Sequence, residues 1–176
     1  MSDGDKNLIE RAMAGEAEAF GQLYDKYQSG IYRFIYLKVG LREEAEDLTH
    51  QVFLKSWRNM PSYNFKGFPF SSWLYSIARN QVIDFYRLKK DVVELESIAE
   101  LKTESDSQIS FDKKTDLERV KNAIIKLNDE QQSVIIFRFI EDMSISETAL
   151  ALDKSESAVK LLQYRAIKNL KKIIDG

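Results

Sequence analysis

Apolar residues recur along this chain at steps of three and four, the period of one helix face, and no segment shows the strict alternation of a half-buried strand. In "EAEAFGQLYDKYQSGIYRFIYLKVG" that spacing predicts a helix closed by Gly40. In "REEAEDLTHQVFLKSWRN" the residues Ala45, Leu48, Val52, Phe53 and Trp57 mark the inner face of another. A short helix precedes them, with Asp5 placed to cap it and Gly15 to end it. Pro61, Gly67 and Pro69 interrupt the pattern in the loop "MPSYNFKGFPF". The run "SSWLYSIARNQVIDFYRLKK" then restarts it, with Ser71 or Ser72 as the expected cap.

The punctuation is sharper in the last third. "TDLERVKNAIIKL" reads as one amphipathic helix, Asn128 with Gln131 forms a capping box for "DEQQSVIIFRFI", and Ser144 with Glu147 forms another for "ISETALAL". Ser155 caps the final helix. Only "LDKS" joins the last two, short enough to force a helix-turn-helix, with small Ala149 at the crossing and Leu152, Val159 and Leu162 in the angle. The turn has no glycine and uses Asp153 instead. In such a unit the second helix enters the major groove N-terminal end first. That presents Ser155, Glu156, Ser157, Lys160, Leu161 and Tyr164 to base edges and sets Arg165 and Lys168 near phosphates. The alternative is a basic, solvated helix in an ordinary bundle.

Between the two helical stretches, "DVVELESIAELKTESDSQISFD" shows no sustained period and reads as a connector. The expected fold is all-α: two small helical domains, residues 1–90 and 113–176, joined by an acidic flexible linker over 91–112. The charge follows this division. A net charge of −2 hides five cations (Lys66, Arg79, Arg87, Lys89, Lys90) facing Asp84 alone between 66 and 90, a linker with seven acidic residues against Lys102, and a stretch from Lys154 to the end with six cations against Glu156 and Asp175. Two basic faces therefore flank an acidic connector, and binding of a polyanion responds to such local potential more than to the sum.

Composition narrows the chemistry. The chain of 176 residues has no cysteine and one histidine, His50, which excludes a disulfide frame, a thiolate nucleophile and a Cys/His zinc site. Glu43, Glu44, Glu46 and Asp47 are the only carboxylates that suggest a metal site. Successive residues diverge around a helix, so no ligand set forms and no cofactor is expected. No segment approaches the roughly 20 apolar residues of a membrane span, and the opening "MSDGDKNLIERAMAG" has no leader pattern, so a soluble intracellular protein is expected. The first basic block is rich in rings: Tyr63, Phe65, Phe68, Phe70, Trp73, Tyr75, Phe85 and Tyr86. Aromatic faces among cations are what unstacked bases require. Trp73, Ile77 and Phe85 are expected in the core, whereas Phe65, Phe68 and Phe70, in a loop broken by Gly67 and Pro69, are hard to bury together and could capture a flipped base.

The order of these pieces resembles the sigma-70 family of bacterial transcription initiation factors, in its extracytoplasmic-function group. The carriers are "EEAEDLTHQVFLKSW", "FSSWLYSIARNQVIDFYR", the acidic linker and "LNDEQQSVIIFRFIEDMSISETALALDKSESAVK". The resemblance implies a cytoplasmic, non-enzymatic protein without cofactor or membrane insertion. Its implied partners are core RNA polymerase, through the largest-subunit coiled coil and the flap, promoter DNA both double-stranded and melted, and an anti-sigma factor. It implies polymerase contacts at Glu44, Glu46, Asp47, His50, Gln51 and Leu54. It also implies recognition and melting of the −10 element by Phe65, Lys66, Phe68, Phe70, Arg79, Asn80, Asp84 and Arg87. The −35 element falls to Ser155, Ser157, Lys160, Leu161, Gln163, Tyr164, Arg165 and Lys168. His50 and Gln51 stand where members often carry Gln and Glu, and Leu162 and Gln163 where many carry Arg and Leu. The linker resembles the segment that threads the polymerase cleft. A helix-turn-helix regulator acting alone is the rival reading, and an enzyme a more distant one.

Overall fold

A computed structural model describes residues 3–64, 69–97 and 116–175, and every regular element among them is helical. The first, α1 (Asp3–Met13), is not capped by Asp5 as expected. Asp5 lies inside the helix, buried, and its carboxylate accepts from Lys26 Nζ at 2.5 Å and Tyr27 Oη at 3.3 Å. A buried acceptor needs donors, and a neighbouring helix supplies them here. Gly15, at φ 90°, turns the chain into α2 (Ala17–Val39), which ends on Gly40 in the left-handed conformation with its N–H donated to Tyr36 O. The next helix, α3 (Arg42–Asn59), has the predicted span and buries Ala45, Leu48, Val52 and Phe53 against α2.

A 3-10 turn, Met60–Ser62, carries Pro61, and α4 (Phe70–Ser97) comes next. Neither expected serine caps it. Phe70 already belongs to the helix, the Ser72 N–H is donated to Pro69 O, and the Ser72 side chain turns inward with no hydrogen-bond partner among the described residues. The helix also runs past Lys90 to Ser97, into the segment read as linker.

The second unit holds α5 (Asp116–Ile125), α6 (Asp129–Ile135), α7 (Ile145–Leu152) and α8 (Glu156–Asp175). Of the two capping boxes, the one at Ser144 and Glu147 forms in both directions. At Asn128 only half forms: its side chain accepts from the Gln131 N–H, while Gln131 Oε1 accepts from Asn169 of α8 instead of returning the bond. The run "DEQQSVIIFRFI" is not one α-helix. After Ile135 it widens into a π turn, Ile136–Ile140, closed by the Glu141 N–H donated to Ile136 O at 2.9 Å. Such a turn inserts one residue and rotates the side chains beyond it to a new direction.

That rotation joins the two units. Phe137, from the π turn, stacks on Phe34 of α2 at 4.8 Å and meets Tyr75 of α4 edge-on at 5.1 Å, with both phenylalanines fully buried. Burying one such ring contributes about 1.5–3 kcal/mol. Beside them the Glu141 carboxylate accepts from Arg33 Nε at 2.6 Å, Arg33 Nη2 at 2.9 Å and Tyr75 Oη at 2.8 Å. Gly30, in mid-helix, makes room for this contact: a Cβ there would lie 2.6 Å from Tyr75 Oη and 3.1 Å from Glu141 Oε2. Further along α2, Lys38 is buried with its ammonium bonded to Asp129 Oδ1 at 2.5 Å and Ser133 Oγ at 2.8 Å. Burial pushes the Lys38 pKa down, the Asp129 carboxylate opposes that, and the nearby Arg79 charge adds to it.

Candidate nucleic-acid interface

The α7–α8 pair is the expected helix-turn-helix. Asp153 closes α7 in the left-handed conformation, φ 53° and ψ 50°, with its N–H donated to Ala149 O and Leu150 O. An aspartate takes this role because its short polar side chain is among the few that tolerate it. Ala149, Leu152, Val159 and Ala166 are buried in the angle, with Leu162 and Leu170 half-buried beside them. Ser155 Oγ accepts from the Ala158 N–H at 3.2 Å and begins α8 as predicted. Ser155, Ser157, Lys160, Leu161, Tyr164, Arg165 and Lys168 are all exposed, Tyr164 by 66%. Gln163 departs from this set. It is half-buried and its Oε1 accepts from Arg138 Nε at 3.1 Å, because its position on α8 faces the π turn.

The α4 face is more altered. Phe70, expected in the base-capturing loop, is 1% exposed and packs against Tyr27, Tyr63 and Trp73 at 5.6, 5.5 and 5.4 Å. As the first residue of α4 its side chain is driven into the apolar centre of the unit, so it serves the core. Phe65, Lys66 and Phe68 lie outside the described residues. Next to that loop is a cleft of about 450 Å³, lined by Asn59, Ser62, Tyr63, Asn64, Trp73 and Ser76 among others. It combines amides and hydroxyls with two rings, Tyr63 and Trp73, whose centroids are 4.7 Å apart. The buried, unpartnered Ser72 Oγ belongs to the same wall. Asn59, Ser62 and Asn64 carry no signal in the sequence, since polar residues around a proline turn look like any solvated loop. Of the α4 residues, Asn80 is exposed and Arg87 pairs with Asp84 at 3.3 Å. Arg79 is half-buried in a groove of about 550 Å³ between α4 and α6, its Nε without a partner among the described residues.

A third surface lies on α3. Asp47, His50, Gln51 and Leu54, at helical steps, form one exposed stripe. Leu54 is 56% exposed and borders a cleft of about 240 Å³ with Phe20, Tyr24, Phe53 and Trp57. Glu46 pairs with Arg42 at 2.8 Å and Glu44 with Lys89 at 3.8 Å, while Gln51 Oε1 accepts from Gln81. Among the described residues no three acidic or histidine side chains gather to hold a metal.

Residues 23–91 match the family model described as Sigma-70 region 2, and residues 123–172 match Sigma-70, region 4. SigX of Bacillus subtilis, an ECF RNA polymerase sigma factor, is 31% identical over 88% of this chain and 83% of its own. The chain belongs to the sigma-70 family. BldN of Streptomyces coelicolor, another ECF RNA polymerase sigma factor, is 38% identical over 95% of this sigma factor, which spans 64% of the BldN length. Among solved structures, CnrH in complex with the cytosolic domain of CnrY superposes with a TM-score of 0.75 at 25% identity, over 98% of both chains. The matched regions fall on the two helical units of this sigma factor: region 2 covers most of α2, all of α3 and the α4 face, and region 4 covers the helix-turn-helix.

Proposed function

We propose that this sigma factor binds core RNA polymerase through the exposed stripe of α3, reads the −35 element with α8, and uses the α4 face with its adjoining loop to recognise and melt the −10 element. As a family member it is a transcription initiation factor that directs polymerase to promoters. The work is division of DNA contacts between two units and trapping of unpaired bases, with no covalent step. Residues 1–90, with the helical extension to Ser97, form the docking and melting unit, residues 113–176 the upstream reader, and the acidic segment between them the linker.

One observation carries the residue-level reading: α8 is capped, anchored by Val159 and Ala166, and leaves Ser157, Lys160, Leu161, Tyr164 and Arg165 exposed on one helix. Lys160 and Tyr164 are offered to base edges, and Arg165 and Lys168 to phosphates. On the other unit, Tyr63 and Trp73 flank a cleft of the size and polarity that suits a nucleobase, with Asn80, Asp84 and Arg87 following along α4. Glu44, Glu46, Asp47, His50, Gln51 and Leu54 are the proposed polymerase contacts. The site of action is the cytoplasm, where promoter and polymerase are; among the described residues no helix is long and apolar enough to cross a membrane. An anti-sigma factor is a further proposed partner; CnrH, the similar solved structure, was itself solved in complex with another protein, the cytosolic domain of CnrY.

Transcription by purified core polymerase with and without this protein tests the proposal. Promoter-specific initiation that appears only when the protein is added is the expected result. A regulator acting alone would instead bind its operator tightly without polymerase, and anisotropy of labelled promoter, with and without core enzyme, distinguishes the two.

A further inference from the structure

The first helix carries a charge where its pattern calls for an apolar residue. Asp5, Ile9 and Ala12, at steps of four and three, are the buried stripe of α1, which packs on α2. The two oxygens of Asp5 go to different donors: Oδ1 accepts from Lys26 Nζ and Oδ2 from Tyr27 Oη. Stability alone does not account for this, since apolar groups in place of a buried ion pair are often neutral or stabilising. Nor does the lysine need it, because its side chain is 46% exposed and water can serve the ammonium. What the carboxylate does specifically is hold the hydroxyl of a half-buried tyrosine. Burial first, then the Asp5 charge and hydrogen bond, and last the nearby Tyr63 phenol raise the Tyr27 pKa, so Tyr27 stays a neutral donor.

From that hydroxyl a path of ring contacts leads to the cleft. The Tyr27 ring lies against Phe70, and Phe70 lies against both Tyr63 and Trp73, the two rings that flank the cleft. A phenylalanine side chain makes no directional bond, so the place of Phe70 is set by the rings around it. Of these, Tyr27 is the one tied to another helix by a charge. The first helix reaches the cleft by a second route as well, packing on the 3-10 turn Met60–Ser62, whose Ser62 belongs to the cleft wall. Yet residues 3–13 lie outside both matched regions.

We propose that Asp5 is a positioning residue for the cleft: by holding the Tyr27 hydroxyl it fixes Tyr27 against Phe70, and through Phe70 it sets Tyr63 and Trp73 in the orientation that accepts an unpaired base. This rests on the reading of that cleft as the site for melted DNA. Stacking depends on the orientation of the ring, and a ring held by its surroundings loses less freedom when a base arrives. The carboxylate therefore acts on binding of the base more than on stability of the fold.

That split is what the test reads. Holoenzyme assembled from core polymerase and each variant is titrated against a labelled mixed-sequence single-stranded DNA pool, with core alone as reference, and each variant is unfolded in urea. The double variant Asp5→Leu with Tyr27→Phe makes the stripe apolar and leaves no hydroxyl without a partner. It should be about as stable as the parent and bind the pool about tenfold more weakly, the equivalent of about 1.4 kcal/mol. Tyr27→Phe alone should weaken binding in the same direction and decides the matter if the double variant does not fold. Asp5→Asn keeps an oxygen for the Tyr27 hydroxyl and should stay within about twofold of the parent. The chain has two tryptophans, so 5-fluorotryptophan labelling gives one fluorine resonance each, and the one lost in Trp73→Ala identifies Trp73. In the double variant the Trp73 resonance should shift while that of Trp57 stays. Parental affinity or an unmoved Trp73 resonance in the folded double variant, or parental affinity in Tyr27→Phe, overturns the positioning role while a loss of affinity in Trp73→Ala keeps the cleft as the DNA site. An equal loss in Asp5→Asn overturns it too. If Trp73→Ala binds as the parent does, or the parent holoenzyme binds the pool no better than core alone, the cleft is not the site for melted DNA and both readings fall.

Discussion

Replacing Gly30 by alanine sets two effects of opposite sign against each other. On an open helix position the change would stabilise the chain by about 1 kcal/mol, through backbone entropy. Here the new methyl meets Tyr75 Oη at 2.6 Å and Glu141 Oε2 at 3.1 Å. Tyr75 is 6% exposed and its ring is held by Phe34 and Phe137, so the hydroxyl yields by giving up its bond to Glu141. A hydrogen bond to a charged group contributes about 1.5–3 kcal/mol, which leaves a net loss of about 0.5–2 kcal/mol. In a Tyr75→Phe chain the hydroxyl is already gone, and the same Gly30→Ala change should be neutral or stabilising by up to about 1 kcal/mol. Urea unfolding of the parent, the two single variants and the double variant gives the coupling directly. A Gly30→Ala change that stabilises the parent as much as it stabilises the Tyr75→Phe chain would refute the close approach on which this reasoning depends.

Phe70→Ala should cost about 3–5 kcal/mol of stability in thermal or urea unfolding, as for other fully buried rings; a loss near zero would return Phe70 to the DNA-contacting loop. Lys160→Ala and Tyr164→Ala should each weaken transcription from promoters that depend on the upstream element by the equivalent of about 1–3 kcal/mol, leaving promoters with that element scrambled unchanged. Burial first, and then the Glu141 charge and hydrogen bond, hold the Tyr75 hydroxyl above its usual pKa of 10.0. The folded chain therefore keeps a proton that the unfolded chain releases, and this contribution to stability is complete below pH 10 and declines as pH rises beyond it. Unfolding measured across that range should show a shallower decline for Tyr75→Phe than for the parent.

What could be read from the sequence was what is decided locally. The span of α3, the closure of α2 by Gly40 and the reciprocal cap at Ser144 and Glu147 depend on residues within a few positions of one another. The errors arose where a distant partner displaced a local one. Asp5 bonds to Lys26 and Tyr27, and Gln131 to Asn169, so each abandons the role its neighbours suggested. Phe70 comes after a proline in a ring-rich loop, and nothing nearby distinguishes the first residue of a helix from the last residue of the loop. The fastening of the two units was the least visible, since Arg33 and Glu141 are separated by 108 positions. One signal was present: a glycine inside a strong helical pattern, amid aromatic residues, with no turn to justify it.

The separation of Tyr75 from Glu141 by 66 positions also has a meaning in time. At about 5–20 residues per second, a ribosome needs on the order of several seconds to add the stretch that supplies Phe137 and Glu141 after Tyr75 has been made. During that interval α2 is complete and α4 is finished as far as Ser97, but Phe137 and Glu141 are still to come. Every newly made molecule therefore passes through a state in which Phe34 and Tyr75 stand without Phe137, so the aromatic rings of the first unit are exposed until the second unit is made.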